Sequence, residues 1–223
     1  MARNSLGPLN DLLAAQGNCV THEQAVALGP TRHEIATHVR RGRLTRLYRG
    51  VFYAGAGPVP RRSQLWGAVL RVGHGAVLSH ETAAEVWGFA DGPSDPIHIS
   101  VPRLAGSLPE SDGIWLHYSV RVPPAQPRPG AERTALAGHG QPMPPATWPH
   151  EAVLDIANAS LTAQDAVNWA IRACQRGATT PAQIATWMLK PGHRGQRWRA
   201  ELTDALAELR PRLDPGPTAE DAG

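Results

Sequence analysis

Lysine is all but missing from this chain. Lys190 stands alone beside 21 arginines, a bias that GC-rich genomes produce. Its isolation still matters, because metal-dependent nucleases pair a lysine with nearby carboxylates. Cysteine is scarce too. Cys19 and Cys174 are too few and too far apart for a disulfide framework or a zinc site. No run reaches the roughly 18 to 20 apolar residues that a membrane span needs. The opening MARNSLGPLN lacks the apolar centre of a signal peptide. These absences lead us to expect a cytoplasmic protein with reduced thiols and no membrane partner.

Acidic residues are scarce in one region. Residues 1–62 hold nine arginines against three Asp/Glu, a net of +6. Residues 63–223 hold 13 Lys/Arg against 16 Asp/Glu, a net of −3. The overall +3 therefore conceals a basic head on a mildly acidic body. A basic head suits a polyanion, since each phosphate contact releases condensed counterions.

The head is patterned as short helices followed by a hairpin. Leu9, Leu12 and Leu13 are at helical spacing, and Gly17 can stop that helix. Thr21 and Gln24 form a T-x-x-Q capping box, with Ala25, Val26 and Leu28 as the apolar side of the helix it opens. Thr31 and Glu34 repeat the box across a tight Gly29-Pro30 link, which is helix-turn-helix grammar. Ile35 and Val39 mark the buried side of the third helix. At 100° per residue His33, Ala36, Thr37, Arg40 and Arg41 fall on or near the other side. The segment LTRLYRGVFYA then reads as two short strands about Gly50. Residues 32–49 carry six arginines against one glutamate, too many for an ordinary solvated face.

This is the anatomy of a winged helix-turn-helix reading duplex DNA. The recognition helix would span residues 31–41, with His33, Thr37 and Arg40 reaching base edges. Arg41, Arg43, Arg46 and Arg49 would hold phosphates or place the wing in the minor groove.

The body mixes periods. A helix after Pro60 carries Leu65, Trp66, Val69 and Val72, and a second, capped by Ser79, carries Ala83, Ala84, Val86 and Trp87 as far as Gly88. Ile97, Ile99 and Val101 alternate with His98 and Ser100, and Ile114, Leu116, Tyr118 and Val120 alternate with Trp115, His117 and Ser119. Each set predicts a strand with one apolar face. Eight prolines in residues 123–149 suggest an irregular excursion. Helices resume at Val153, Leu154 and Ile156, then after Thr162, after Thr180-Pro181, and from Gln196 to Leu209. The fold expected is α+β: a winged helix-turn-helix over 1–58, a mixed α/β domain with a small sheet and several helices over 59–209, and a disordered tail over 210–223.

Catalytic patterns are not evident. The ten histidines never fall in an H-x-x-x-H or H-E-x-x-H arrangement with carboxylates behind it. His98 and His117 could face each other across adjacent strands, but a third ligand is missing. Ser79, His80 and Glu81 have the letters of a triad, yet sequence neighbours cannot converge as nucleophile, base and orienting acid. Cys174, at helical spacing with Val167, Ala170 and Ile171, reads as a small core residue. Gly106-Ser107 is not followed by the D-x-D pair of a nucleotidyltransferase. We expect no catalytic residue, no metal and no cofactor.

The pattern G-x-L-x-R-x-x-R-G-V-x-Y-A at Gly42–Ala54, followed by LSHETAAEVWGF from Leu78 and the strand IHISVPR from Ile97, resembles the AbiEi-type antitoxin family of bacterial transcriptional regulators. The resemblance is best over residues 9–103 and looser to about 210. It implies an N-terminal winged helix, binding to an inverted-repeat operator in double-stranded DNA, and repression of the family's own promoters. Its members partner nucleotidyltransferase toxins, so a cognate toxin encoded nearby is implied as a possible partner. Where the family has a T-S-P-x-R-T turn this chain reads ATWPHEAVLDIA, so any role of that arginine does not carry over. Relatives often add a nuclease domain resembling very-short-patch-repair endonucleases. Here Met188, not a carboxylate, lies two residues before the lone Lys190. Two alternatives stand beside repression: a toxin-neutralising interaction module with a vestigial head, and the relic of a nuclease fusion.

Overall fold

The structure is a computed structural model that describes residues 7–73, 75–102, 113–119, 143–190, 193 and 195–213. Most of the proline-rich stretch, Gly106-Ser107 and the tail beyond Leu213 lie outside the described residues. The architecture is α+β, and the chain divides into two packing units. One comprises residues 1–78 and 95–146, the other 79–94 and 147–223.

The first unit begins with α1 (Gly7–Ala15), β1 (Cys19–Thr21), α2 (His22–Ala27) and α3 (Arg32–Arg40), followed by β2 (Thr45–Tyr48) and β3 (Val51–Tyr53). The two expected capping boxes both form. Thr21 Oγ1 accepts from the Gln24 N–H at 3.1 Å, and Thr31 Oγ1 from the Glu34 N–H at 3.2 Å. On α2 only Ala25 is buried, while Val26, 100° further round, is exposed. Val20, Ala25, Ile35 and Phe52 form the head core, with Leu9, Leu12, Leu13, Val39 and Leu44 packed against it.

The head sheet has the order β1-β3-β2, antiparallel throughout. Side chains alternate across it. Val20 and Phe52 face the helices of the head, whereas Cys19 lies on the opposite face and donates its thiol to the Ser63 carbonyl of α4 (Arg61–Val72) at 3.1 Å. Gly67 is where α4 meets the wing strand. A Cβ there would lie 2.7 Å from Leu47 Cδ1, so glycine permits the close approach. β1 is the strand of this sheet that the sequence pattern does not show. It lends the hairpin a third strand and hence independent stability.

The same unit holds a second sheet of order β4-β5-β6, made of β4 (Val77–Leu78), β5 (Ile97–Pro102) and β6 (Ile114–Ser119). β4 pairs antiparallel with β5, and β5 pairs parallel with β6. Ile97, Ile99 and Val101 are buried as their alternation predicts, but Tyr118, expected on the apolar face, is exposed near the end of β6. β6 has a neighbour only on its β5 side among the described residues.

The second unit is helical: α5 (His80–Val86), α6 (Pro149–Ala159), α7 (Ala163–Gln175), α8 (Pro181–Met188) and α9 (Arg199–Leu213). Thr162 and Thr180 cap α7 and α8 as read from sequence, with Pro181 in the first turn of α8. Leu154, Ile156, Ile184 and Leu202 are fully buried between these helices. Cys174 is buried, and burial pushes its thiol up to about 11, in keeping with a core role.

Two expectations are corrected here. Ser79 occupies the N-cap position of α5 without making a capping bond, and its hydroxyl instead meets His80 Nδ1 at 3.0 Å. The last helix starts at Arg199 because Trp198 has φ 58, which breaks the helical path. It continues to Leu213 rather than ending at Leu209.

Candidate nucleic-acid interface

The head positions its cations by three local devices. The first is the start of α3. Thr31 N–H and Oγ1 both bond Glu34 Oε2, at 2.7 and 2.8 Å. These bonds hold the Glu34 carboxyl below its usual range, and the only acid on α3 is spent on its own cap. The second is the end of α3, where the N–H groups of Arg43 and Leu44 both return to the His38 carbonyl, at 2.9 and 3.3 Å. That turn satisfies a terminal carbonyl and leads the chain into β2.

The third device is the wing. Gly50 has φ 78 and closes the two-residue turn between Tyr48 and Val51. Its carbonyl accepts from the His22 N–H at 2.8 Å, which ties the wing turn to the first residue of α2. Helix-turn-helix and wing are thereby held in one frame.

On this frame the expected contact residues take distinct places. His33 and Arg40 are exposed on α3, while Thr37 is half-buried. Arg40 Nη2 donates to Thr37 Oγ1 at 3.0 Å, so two of the three base-reading residues meet on one face. Arg41 follows as the C-cap, and Arg43 lies in the turn, both exposed. Arg46 is paired with Phe52, and its guanidinium sits 5.8 Å from the Phe52 ring centre. Because Phe52 belongs to the core shared with Ile35, Arg46 is on the α3 side of the sheet. Arg49 is exposed in the wing turn. Arg32, exposed at the first position of α3, was counted in the sequence charge but given no role.

This arrangement can do what a polyanion reader requires. A short helix with small and hydrogen-bonding side chains in its first turns can approach base edges, and the flanking guanidiniums can pair with phosphates.

Other reactive groups are organised differently. His98 Nδ1 and His117 Nε2 do meet across β5 and β6, at 2.9 Å, with Trp115 stacked on both rings. Burial, and then the charge of His98, lower His117 to about 4. Lys190 places its ammonium 3.0 Å from the centre of the Trp187 ring, a cation–π contact. No described helix is long and apolar enough to cross a membrane.

Comparisons with known proteins address family and fold. No curated protein is significantly similar in sequence. Among solved structures, the crystal structure of RV2827C protein from Mycobacterium tuberculosis is similar, with a TM-score of 0.53 at 18% identity. The match covers 96% of this chain and 82% of that one. At such identity the likeness bears on the fold alone. Over residues 8–54, which span α1 to β3, the chain matches the family described as "Transcriptional regulator, AbiEi antitoxin", the family its motifs resemble.

Proposed function

We propose that this chain is a DNA-binding transcriptional repressor of the AbiEi antitoxin type, acting on an inverted-repeat operator upstream of its own operon. α3 enters the major groove. His33, Thr37 and Arg40 read base edges, while Arg41, Arg43, Arg46 and Arg49 hold phosphates or seat the wing in the minor groove. The head of residues 1–58 is the reader, and the body of 59–209 arranges heads on the operator. The observation that carries the reading is the exposed arginine set distributed over α3, the following turn and the wing, in a segment whose one glutamate is tied to its own cap.

The test is fluorescence anisotropy with a duplex from the gene's own upstream region. Four phosphate contacts per head give a slope of log K against log[salt] of roughly −3.6. Arg40→Ala combined with Arg41→Ala should weaken sequence preference and reduce that slope to roughly −2.7, one phosphate contact fewer. A wild-type chain showing no salt-sensitive binding, or a double variant indistinguishable from it, sinks the reading.

A second reading has one observation of its own. Leu161 and Leu189, on the helical unit, are 83% and 72% exposed. Exposed leucines mark a contact surface where they join in one patch. The partner in this reading is a cognate nucleotidyltransferase toxin. Co-purification with the product of a neighbouring gene, lost in Leu161→Ser and Leu189→Ser, would support it.

A further inference from the structure

Arg40 closes α3, and its guanidinium is not left to swing from the end of the helix. No carboxylate lies within four residues of it on either side, so no helical ion pair claims it. Thr37, three residues earlier, holds it instead through the 3.0 Å bond from Nη2 to Oγ1. Thr37 stands midway between Ile35 and Val39, the residues of α3 that pack in the head core. Two residues turn a helix by about 200°, so Thr37 lies diametrically opposite the mean direction of that pair. The bond therefore sets the guanidinium over the centre of the outer face, about 4.5 Å of helix rise back from its own Cα. Arg41 and Arg43, by contrast, stay exposed beyond the C-terminal end.

The bond also leaves the guanidinium fit for one kind of acceptor. Its five N–H donors lie in one planar fork. Thr37 uses a single hydrogen of Nη2. If that hydrogen is on the end of the fork, the edge formed by Nε and Nη2 keeps both donors. If it is on the side, the edge formed by Nη1 and Nη2 does. Either way a two-donor edge remains, and it is the mate of two adjacent acceptors. In the major groove only guanine shows such a pair, O6 and N7; adenine sets a donor beside N7, cytosine shows a donor, and thymine shows one acceptor beside a methyl group.

We infer that Arg40 reads the O6 and N7 of a guanine, and that Thr37 is a positioning residue acting on that base through Arg40. The inference rests on the DNA-binding reading above and narrows it, since it names the base and divides the work between two residues of one face. Threonine suits the part, because a β-branched side chain is stiff at χ1 and keeps its hydroxyl in place. Base readout follows from the guanidinium's central position, as the outer face of a helix in the major groove meets base edges.

The experiment titrates the full chain by anisotropy against the duplex from the gene's own upstream region, and against copies in which each guanine in turn becomes 7-deazaguanine, which lacks N7. Wild type should lose about fivefold or more in affinity at one guanine of each half-site. Arg40→Ala should be indifferent to that replacement. Thr37→Val keeps the shape and removes the acceptor; its sensitivity to the same replacement should fall below about twofold while the salt slope stays at the wild-type value. Thr37→Ser should restore most of the sensitivity. In the Arg40→Ala background Thr37→Val should have no further effect, which a direct contact of Thr37 with a base would contradict. Should Thr37→Val melt early by circular dichroism, Thr37→Ala carries the test. Full sensitivity in Thr37→Val overturns the inference. So does an Arg40→Ala variant that loses about 0.9 of salt slope equally on operator and scrambled DNA, which would put Arg40 on a phosphate and leave the repressor reading standing. Absence of DNA binding by wild type overturns both.

Discussion

Replacing Thr31 by alanine isolates the device that starts the reading helix. The substitution removes the hydroxyl that accepts from the Glu34 N–H at 3.2 Å and donates to Glu34 Oε2 at 2.8 Å. It leaves the 2.7 Å bond from the Thr31 N–H to the carboxylate. Loss of such a cap destabilises by about 1 kcal/mol, within a range of roughly 0.5 to 2. α3 has nine residues, too few for a helix to persist on its own in water, so this loss bears on whether its first turn forms. An increment of about 1 kcal/mol multiplies the open population of that turn roughly fivefold. Amide exchange in the first turn of α3 should therefore accelerate by about that factor. Exchange at the first turn of α2, whose own box is intact, should stay unchanged.

Two companion variants sharpen the test. Thr31→Ser keeps the hydroxyl and should restore protection. Glu34→Gln keeps a side-chain oxygen at the third helical position and should cost less than Thr31→Ala. The pH dependence has a definite sign. Glu34 is held below its unfolded value, so its contribution is complete above the ordinary carboxylate pKa and declines as pH falls through the lowered one. Equal exchange rates in wild type and Thr31→Ala at neutral pH would refute the reasoning, as would a larger effect for Glu34→Gln than for Thr31→Ala.

Three further outcomes follow from the geometry. Gly50→Ala meets no atom within 4 Å, so its penalty is purely the φ of 78, about 1 to 2 kcal/mol. It should lower the urea midpoint of the head more than Gly50→Asn does, and an unchanged midpoint would count against the turn geometry. His117 is lowered to about 4 by burial and by His98, so it resists protonation only in the folded state. Stability should fall as pH drops from about 6.5 toward 4, by on the order of 1 to 2 kcal/mol after discounting for partial exposure, and His117→Gln should flatten that decline. Burial pushes Cys19 up to about 12 and Cys174 up to about 11. Neither thiol should react with a disulfide reagent at pH 8 until urea is added, and a fast native phase would contradict their burial.

Features written within four residues of one another were readable from sequence. The boxes at Thr21/Gln24 and Thr31/Glu34, the cap at Thr162 and the Thr180-Pro181 start all form, because each depends only on a hydroxyl meeting an N–H three residues on. The Gly50 turn was readable for the same reason. What escaped depends on distant partners. β1 is three residues, Cys19–Thr21, with no period of its own, and becomes a strand only through its register with Val51–Tyr53. β4 is two residues and depends likewise on β5. Ser79 had the right letter for a cap, yet the neighbouring imidazole claims its hydroxyl. For the candidate site, helical spacing located the α3 face.

The placement of charge in the head makes little sense as a contribution to folding. Two like charges about 8 Å apart in water repel by roughly 0.5 kcal/mol before screening. The five arginines from Arg40 to Arg49, with no carboxylate among those ten residues, add unfavourable terms to one another. The fold tolerates it because its apolar contacts lie elsewhere. One face of the sheet closes on the Val20, Ala25, Ile35 and Phe52 core, and the other closes on α4 through Cys19, Ser63 and Gly67. Arg46 shows both demands on one residue: its guanidinium covers the Phe52 ring, yet the side chain is exposed at the α3 side. Glu34, the acid that could relieve the repulsion on α3, is instead committed to starting the helix. The exposed arginines of α3, its following turn and the wing, with no carboxylate between Arg40 and Arg49, are what the proposed binding to a polyanion requires.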